Sequence, residues 1–424
     1  MRTIARTIML AASVCATRAI CGAAAAQVMI SRAVGGPMGG AEVISAKAAD
    51  RFAGILGLDA AQVDAFKTLH RSYLSQIDES RSALREVSKK ARDAAEDGDF
   101  DALIRAMEKA SAEQLTRQAE LTNTLLQDLR GMLTPEQEMK WSRLERARRR
   151  ESLPMMAWGP MSVSGAGVDL CVLVEGLKLP GEEFAKVAPV VEEYEVEIDA
   201  VIREGQAAAA KDTEEARKSG PGDGVSRVLD EGAMREMVGK SHARSKRAGE
   251  VNRRFVERMG ATLAEPWRGE LRKAWNKAAF RTVYRDPHIL TQLKAAQGFE
   301  DLEAEQKVAL AELLAEYERR LEELNAQWAE ALLKQEMEGK ATPFELGMDE
   351  ESEVGKARRA RMELDKAMRE RMRARLNEAQ QARLPKVPSG PRVVTPGGGE
   401  MELDLGGVGL PDGAEIEVIT VPGR

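Results

Sequence analysis

Little in this sequence is arranged for covalent chemistry. Its three histidines, His70, His242 and His288, have no cysteine or second histidine at ligand spacing, so no metal site is expected. Carboxylates abound, but pairs such as Glu192-Glu193 and Glu322-Glu323 stand among Arg and Lys and read as solvated helix faces. The runs Gly35 to Gly40 and Gly397 to Gly399 lack the Lys and Ser/Thr that complete a phosphate loop. These patterns point away from an enzyme and from a bound cofactor. The residues with a legible task are hydrogen-bonding ones. In Leu133-Thr134-Pro135-Glu136-Gln137, Thr134 can cap a helix, Pro135 suits its first position, Glu136 favours its positive end, and Gln137 can reach back to the cap amide. Asp59 with Gln62, Glu303 with Gln306 and Asn377 with Gln380 repeat that spacing, each after a leucine: Leu58, Leu302 and Leu376. Glu303 is the poorest cap of the four.

The elements that must position these residues are long helices. Tyr73, Tyr194 and Tyr317 each follow a leucine (Leu58, Leu179, Leu302) by fifteen residues and precede an aliphatic (Ile77, Ile198, Leu321) by four. Around them the apolar residues step by three and four, as in Val187, Val191, Tyr194, Ile198 and Val201, which keeps one stripe facing a partner helix. Breaker clusters follow at 97–99, 219–224 and 339–347. Beyond each runs a ladder at every fourth position: Leu121, Leu125, Leu129, Leu133; Val251, Phe255, Met259, Leu263; and Leu364, Met368, Met372, Leu376. The pattern predicts three tandem antiparallel helical hairpins with a period near 120 residues. Arms of roughly 35 residues would be ~50 Å long.

Leu58 to Gln62 with Leu133 to Gln137, and Leu302 to Gln306 with Leu376 to Gln380, resemble the paired LTxxQ motifs of the Spy/CpxP family of periplasmic proteins. The middle copy departs, with Glu183 and Trp267 where glutamine is expected. The resemblance implies an exported protein with a helical cradle that acts as an ATP-independent holding chaperone or envelope-stress sensor. Family members are dimers. Three units in one chain is a different arrangement, in which internal pairing could replace dimerisation.

The boundaries expected from these patterns are a signal peptide at 1–26, a linker at 27–50, and repeat one at 51–152. A linker with a short apolar strand follows at 153–174, then repeat two at 175–287, repeat three at 288–386, and a tail at 387–424. The signal reading rests on Arg2 and Arg6, the apolar run Ile8 to Ala16, and Ala24 to Ala26. Its removal takes Cys15 and Cys21 and leaves Cys171, expected as a buried thiol in the strand from Val168 to Val174. Loss of Arg2, Arg6 and Arg18 would move the formal charge from −6 to −9, against nonspecific nucleic-acid binding. No other segment is apolar enough to span a bilayer. Aromatics at 4% and charged residues at 31% favour long, surface-rich helices.

His70 lies on the apolar stripe where Val191 and Leu314 fill the matching places, which makes it a half-buried packing residue. The run Arg143 to Arg150, behind Trp141, reads as a solvated helix end, with an acidic partner as the alternative. Leu125, Leu129, Phe255, Met259, Met368 and Met372 are the candidates for client binding, with packing inside the hairpin as the competing use. Strand-like alternation at Arg392 to Val394, Met401 to Leu405 and Glu415 to Val421 fits a β-hairpin, and a flexible tail fits equally. The function these features imply is an exported holding chaperone or stress-related binder of unfolded or partly folded exported proteins. The alternative is a self-assembling coiled-coil scaffold of the envelope.

Overall fold

A computed structural model describes residues 43–95, 100–151, 153, 163–218, 231–338, 351–386, 392–394 and 400–402. It is 82% helical, which defines an all-α protein. The expected signal peptide and the three breaker clusters lie outside the described residues, as does most of the tail. The chain divides into two compact units, Met1–Arg272 and Lys273–Arg424.

The first unit holds α1 (Ala46–Leu56), α2 (Ala60–Ala95), α3 (Phe100–Gly131), α4 (Pro135–Glu138) and α5 (Trp141–Arg150). It continues with α6 (Leu170–Gly176), α7 (Gly181–Lys218) and α8 (Glu231–Thr262), and α9 (Trp267–Ala279) runs across the division. Helices α2 and α3 pack together, as do α7 and α8. Partner numbers fall on one helix as they rise on the other: Glu193 meets Arg258, Glu197 meets Arg254, and Asp212 meets Arg244. Both pairs are therefore antiparallel, because Tyr73 likewise reaches Thr122 while Gln62 reaches Met132. The α7 and α8 arms carry opposite charges at matched heights, which adds register specificity to the apolar seam.

Each seam is closed where the spacing predicts. Phe66, Tyr73 and Ile77 are buried against Leu121, Leu125 and Leu129, with α1 covering one end through Phe52 and Leu56. In the second pair Val187, Tyr194 and Ile198 are buried with Val251, Phe255 and Met259, and the Tyr194 and Phe255 rings meet edge to face at 5.6 Å. Helix α1 starts at the Ser45 cap and stops at Gly57, whose φ of 68° suits glycine. The expected linker 27–50 thus ends early: Ile44, Ala48 and Ala49 are already core.

The second unit contains α10 (His288–Gln297), α11 (Ala304–Glu338), α12 (Glu353–Arg373) and α13 (Glu378–Ala382). The pair α11 and α12 is antiparallel too, since Glu316 meets Arg371 while Asn325 meets Arg361. Leu310, Tyr317 and Leu321 share a core with Leu364, Met368 and Met372, closed at one end by Ile289 and Leu293 of α10. A second cluster, Phe280, Val283 and Ala329 with Trp328 and Leu332 against it, covers the C-terminal part of α11. In the tail, β1 (Arg392–Val394) pairs antiparallel with β2 (Glu400–Glu402).

Two local expectations are corrected. Val168 to Val174 is not a strand: Leu170–Gly176 is a helix, because the Asp169 side chain caps it at the Cys171 N–H, and Leu170, Cys171 and Val174 fall on one buried face. The stretch from Asp286 to Gly298, whose Pro287 and Gly298 read as breakers separating two units, is mostly α10, whose Ile289, Leu293 and Ala296 step at helical spacing.

Candidate functional site

The LTxxQ-like motifs meet in pairs. Thr134 Oγ1 accepts the Gln137 N–H at 3.3 Å and Gln137 Oε1 accepts the Thr134 N–H at 3.0 Å, a complete capping box. The same Gln137 amide exchanges two hydrogen bonds with Gln62, Nε2 to Oε1 at 2.8 Å outward and 2.9 Å in return. Gln137 Nε2 also donates to Gly57 O at 3.0 Å, and Gln62 Nε2 to Met132 O at 2.8 Å. Gln62 in turn caps α2 by accepting the Asp59 N–H at 3.0 Å. One amide pair thus closes the ends of α1 and α3 and the starts of α2 and α4. Glutamine suits it, having two donors and an acceptor on one plane.

The second unit repeats the clasp bond for bond in most respects. Gln306 Nε2 donates to Arg375 O at 2.7 Å and to Gln380 Oε1 at 3.3 Å, while Gln380 Nε2 donates to Asp301 O at 3.2 Å. Asn377 and Gln380 form the capping box, and Glu303 N donates to Gln306 Oε1 at 3.0 Å. Leu58 and Leu133 pack beside the first clasp's core, and Leu302 and Leu376 are buried in the second. The α7 and α8 pair has no such clasp. There Glu183 Oε2 accepts the Ala264 N–H at 3.3 Å, so a carboxylate from the facing helix takes the cap amide. The Lys186 hydrogen bond, then that amide, lower the Glu183 pKa.

The three tyrosines are each buried with a partner for the hydroxyl. Tyr73 accepts the Ile44 N–H at 3.1 Å and lies 3.2 Å from Thr122 Oγ1. Tyr194 accepts the Leu170 N–H at 3.3 Å and donates to Val168 O at 3.4 Å. Tyr317 donates to Asp365 Oδ1 at 2.6 Å; burial, and after it this contact, push its pKa far up. His70 is buried, not half-buried: its Nε2 is 2.7 Å from Ile44 O, so the segment before α1 is tied to α2 by two polar contacts.

The six candidate client-binding residues are buried, which fits the competing use, packing inside the hairpin. Leu125 is 2% exposed, Phe255 1%, and Leu129, Met259, Met368 and Met372 0%. They are the seam itself, because the i, i+4 ladder of each returning arm faces the stripe of its outgoing arm.

The arginine run on α5 is also not a solvated end. Arg150 is buried, with Nε 3.3 Å from Asp169 and Nη2 3.3 Å from Glu195. Arg143 Nε donates to Glu195 Oε2 at 3.0 Å and Arg149 Nε to Asp199 Oδ1 at 2.6 Å. Arg51 of α1 joins Glu151 and Glu175. Charged contacts therefore link the helices before residue 152 to α6 and α7. Burial opposes the charge of Arg150, yet the Asp169 and Glu195 carboxylates paired with it hold its pKa above the ordinary value. Burial, with Asp169 beside it, pushes the Cys171 thiol well up, which fits an inert buried sulfur. Burial also raises the Glu151 carboxyl against its pairing with Arg51.

Beside this network lies an open groove of about 580 Å3 between α5 and α7. Trp141 and the 77% exposed Met139 stand among its lining residues, together with Arg146, Arg149, Asp199 and Arg203. The Arg130 guanidinium covers the Trp141 ring at 5.1 Å and donates to Glu138 through Nε at 2.7 Å. Sequence reasoning missed Glu195 and Asp199 as partners of the arginines. Their signal is two acids immediately after the stripe residues Tyr194 and Ile198, on the edge of a seam.

Among the described residues no cluster of His, Cys, Asp or Glu could hold a metal, and no helix is long and apolar enough to cross a membrane. Compared with protein-family models, curated proteins and solved structures, the chain gives no match.

Proposed function

We propose that this chain is an exported, periplasmic-type helical protein without catalytic activity, related to the Spy/CpxP family, that holds unfolded or partly folded exported proteins. The observation that carries the reading is the pair of glutamine clasps, Gln62 with Gln137 and Gln306 with Gln380. Four short motifs placed far apart in the chain converge two by two on the same hydrogen-bonding task. That convergence supports treating the hairpins as copies of one unit, with α7 and α8 a divergent copy. With the ladders consumed in the seams, clients would meet the charged outer faces of the arms, where Lys and Arg stems also present apolar surface. The test is aggregation of a reduced or heated client in the presence of the purified chain. Delay at stoichiometric chain supports the reading, and unchanged aggregation at molar excess removes it.

A second reading, an envelope scaffold that self-assembles, is favoured by the burial of all six ladder residues. Sedimentation separates the two. A concentration-dependent elongated assembly supports the scaffold, and a monomer or dimer supports the holding protein.

A further inference from the structure

We propose that the groove between α5 and α7 is a binding site for a small amphipathic carboxylate, an apolar group attached to a single carboxylate head. The proposal is independent of the holding function. It rests on four observations.

The groove has two chemically different parts. Met139 and Trp141, at the α4 to α5 junction, supply apolar surface; Met139 is 77% exposed, whereas the ladder methionines Met259, Met368 and Met372 are sealed. Two turns further along α5, Arg146 and Arg149 face the groove opposite Asp199 and Arg203 of α7. Its volume, about 580 Å3, falls inside the range of about 300–1,000 Å3 typical of small-ligand sites.

The guanidinium groups differ in what they already bind. Arg149 is held by Asp199 and Glu145. Arg130 is held by Glu138. Arg146 reaches Glu195 only at 4.0 Å through Nη2, outside hydrogen-bond range, so its terminal amino groups hold no hydrogen bond among the described residues, while its Nε is buried away from the groove. Arg203 has no ion pair or hydrogen bond among the described residues, although it stands one helical turn beyond the paired Asp199. Arg146 and Arg203 therefore bring two cations with spare donors to one groove from two helices. A carboxylate can take two such donors at once, and charge-assisted bonds of this kind are roughly twice as strong as neutral ones.

The acids at the site fix the ligand's charge. Glu138, Glu145 and Asp199 line the groove beside the four arginines; Arg130 engages Glu138, and Arg149 engages both Glu145 and Asp199. The remaining positive charge is small, which fits one carboxylate and excludes a polyanion. A carboxylate next to an apolar group occurs at a peptide C-terminus and in a fatty acid, and the two sources are separable by experiment.

The site is rigid. Its α5 wall is anchored by the buried Arg150 to Asp169 and Glu195, and by Leu144 and Ala147 in the core. A fixed wall lowers the cost of ordering on binding, which then falls mainly on the Arg203 side chain.

The test is calorimetric titration of the full chain at low salt with three probes: N-acetyl-Leu-Phe as the free acid, the same dipeptide as its C-terminal amide, and decanoate. Binding of the free acid at least ~tenfold tighter than the amide is expected. Decanoate binding with the same dependence on Arg203 assigns the site to the fatty-acid source, and its failure assigns it to a peptide terminus. Arg203→Gln is expected to weaken the acid ~tenfold and leave the amide unchanged; because Arg203 is exposed, thermal unfolding should not move. Trp141→Leu should weaken acid and amide alike, and the Trp141 indole N–H should shift in NMR spectra on titration. Equal affinity for acid and amide, absent binding of both acids, or full affinity in folded Arg203→Gln overturns the proposal.

Discussion

Replacing Gln137 by leucine removes four hydrogen bonds with one side chain. Gln137 caps its own helix through the Thr134 N–H at 3.0 Å, donates to Gly57 O at 3.0 Å and exchanges a pair of bonds with Gln62. Loss of the cap costs about 1 kcal/mol. The Gly57 carbonyl and the Gln62 amide each lose a partner in a half-buried place, at about 1 kcal/mol apiece. Gln137→Leu should therefore destabilise the surrounding helices by about 3 kcal/mol. Gln62→Leu should cost a similar amount, since it strands Met132 O and the Gln137 amide in the same way. The discriminating quantity is the double variant. If the two amides act as one clasp, the second substitution removes groups whose partner is already gone, and the cost falls short of the sum by about 1–2 kcal/mol.

Native-state hydrogen exchange at Leu58, Thr134 and Gln137 reads this locally, and urea unfolding reads it for the chain. Additivity within about 0.5 kcal/mol would refute the clasp and reduce the motif to two unrelated helix caps. The second unit supplies an internal scale. There the amides share one bond, at 3.3 Å, so the Gln306→Leu and Gln380→Leu cycle should show a smaller coupling than the first.

Arg150→Met should destabilise the first unit by about 3–5 kcal/mol in urea titrations, because Asp169 loses its ion partner and the buried Glu195 is left to Arg143 and the more distant Arg146. Met259→Ala should cost about 2–5 kcal/mol while Met139→Ala stays within about 0.5, which a thermal melt distinguishes. Hydrogen bonds from Lys186, Arg244, Arg383 and Arg371 lower the pKa values of Glu183, Asp212, Asp301 and Glu316. Lowered acids contribute stability above their unfolded pKa of ~4 to 4.5 that is lost as the pH falls through the folded values. Glu151, raised by burial, acts in the opposite sense, its contribution fading as the pH rises through its folded value. Melts from pH 3 to 8 should thus fall steeply only on the acid side, and less so in high salt.

The long helices and their seams are legible in the sequence because each answers to one local rule. Alternating steps of three and four fix the buried face of α2, α7 and α11, and Phe66, Tyr194 and Tyr317 are buried as that rule requires. The capping boxes are equally local: Thr134 with Gln137 and Asn377 with Gln380 can be read from four residues each. What the sequence withholds is the reach of those glutamines to Gln62 and Gln306, some seventy residues away, because capping and clasping need the same side chain and the cap alone explains it.

The same limit explains the misread charges and the misread strand. Arg143 to Arg150 looks solvated until a second helix arrives with Glu195 and Asp199, and no periodicity announces which acid meets which arginine. Leu170 to Gly176 has β-branched residues enough for a strand, yet Asp169 supplies a cap and the Tyr194 hydroxyl receives the Leu170 N–H, so the helix start is satisfied twice. The different helix cap between α7 and α8 follows from this. With Trp267 unable to serve as Gln137 does, an acceptor is still needed for the cap amide, and Glu183 supplies it from across the seam. A carboxylate accepts but cannot donate, so the reciprocal amide pair is lost while the helix end stays capped. The α7 and α8 pair then adds to its apolar seam the ion ladder from Glu193 to Asp212, which the clasped α2 and α3 pair does without among the described residues.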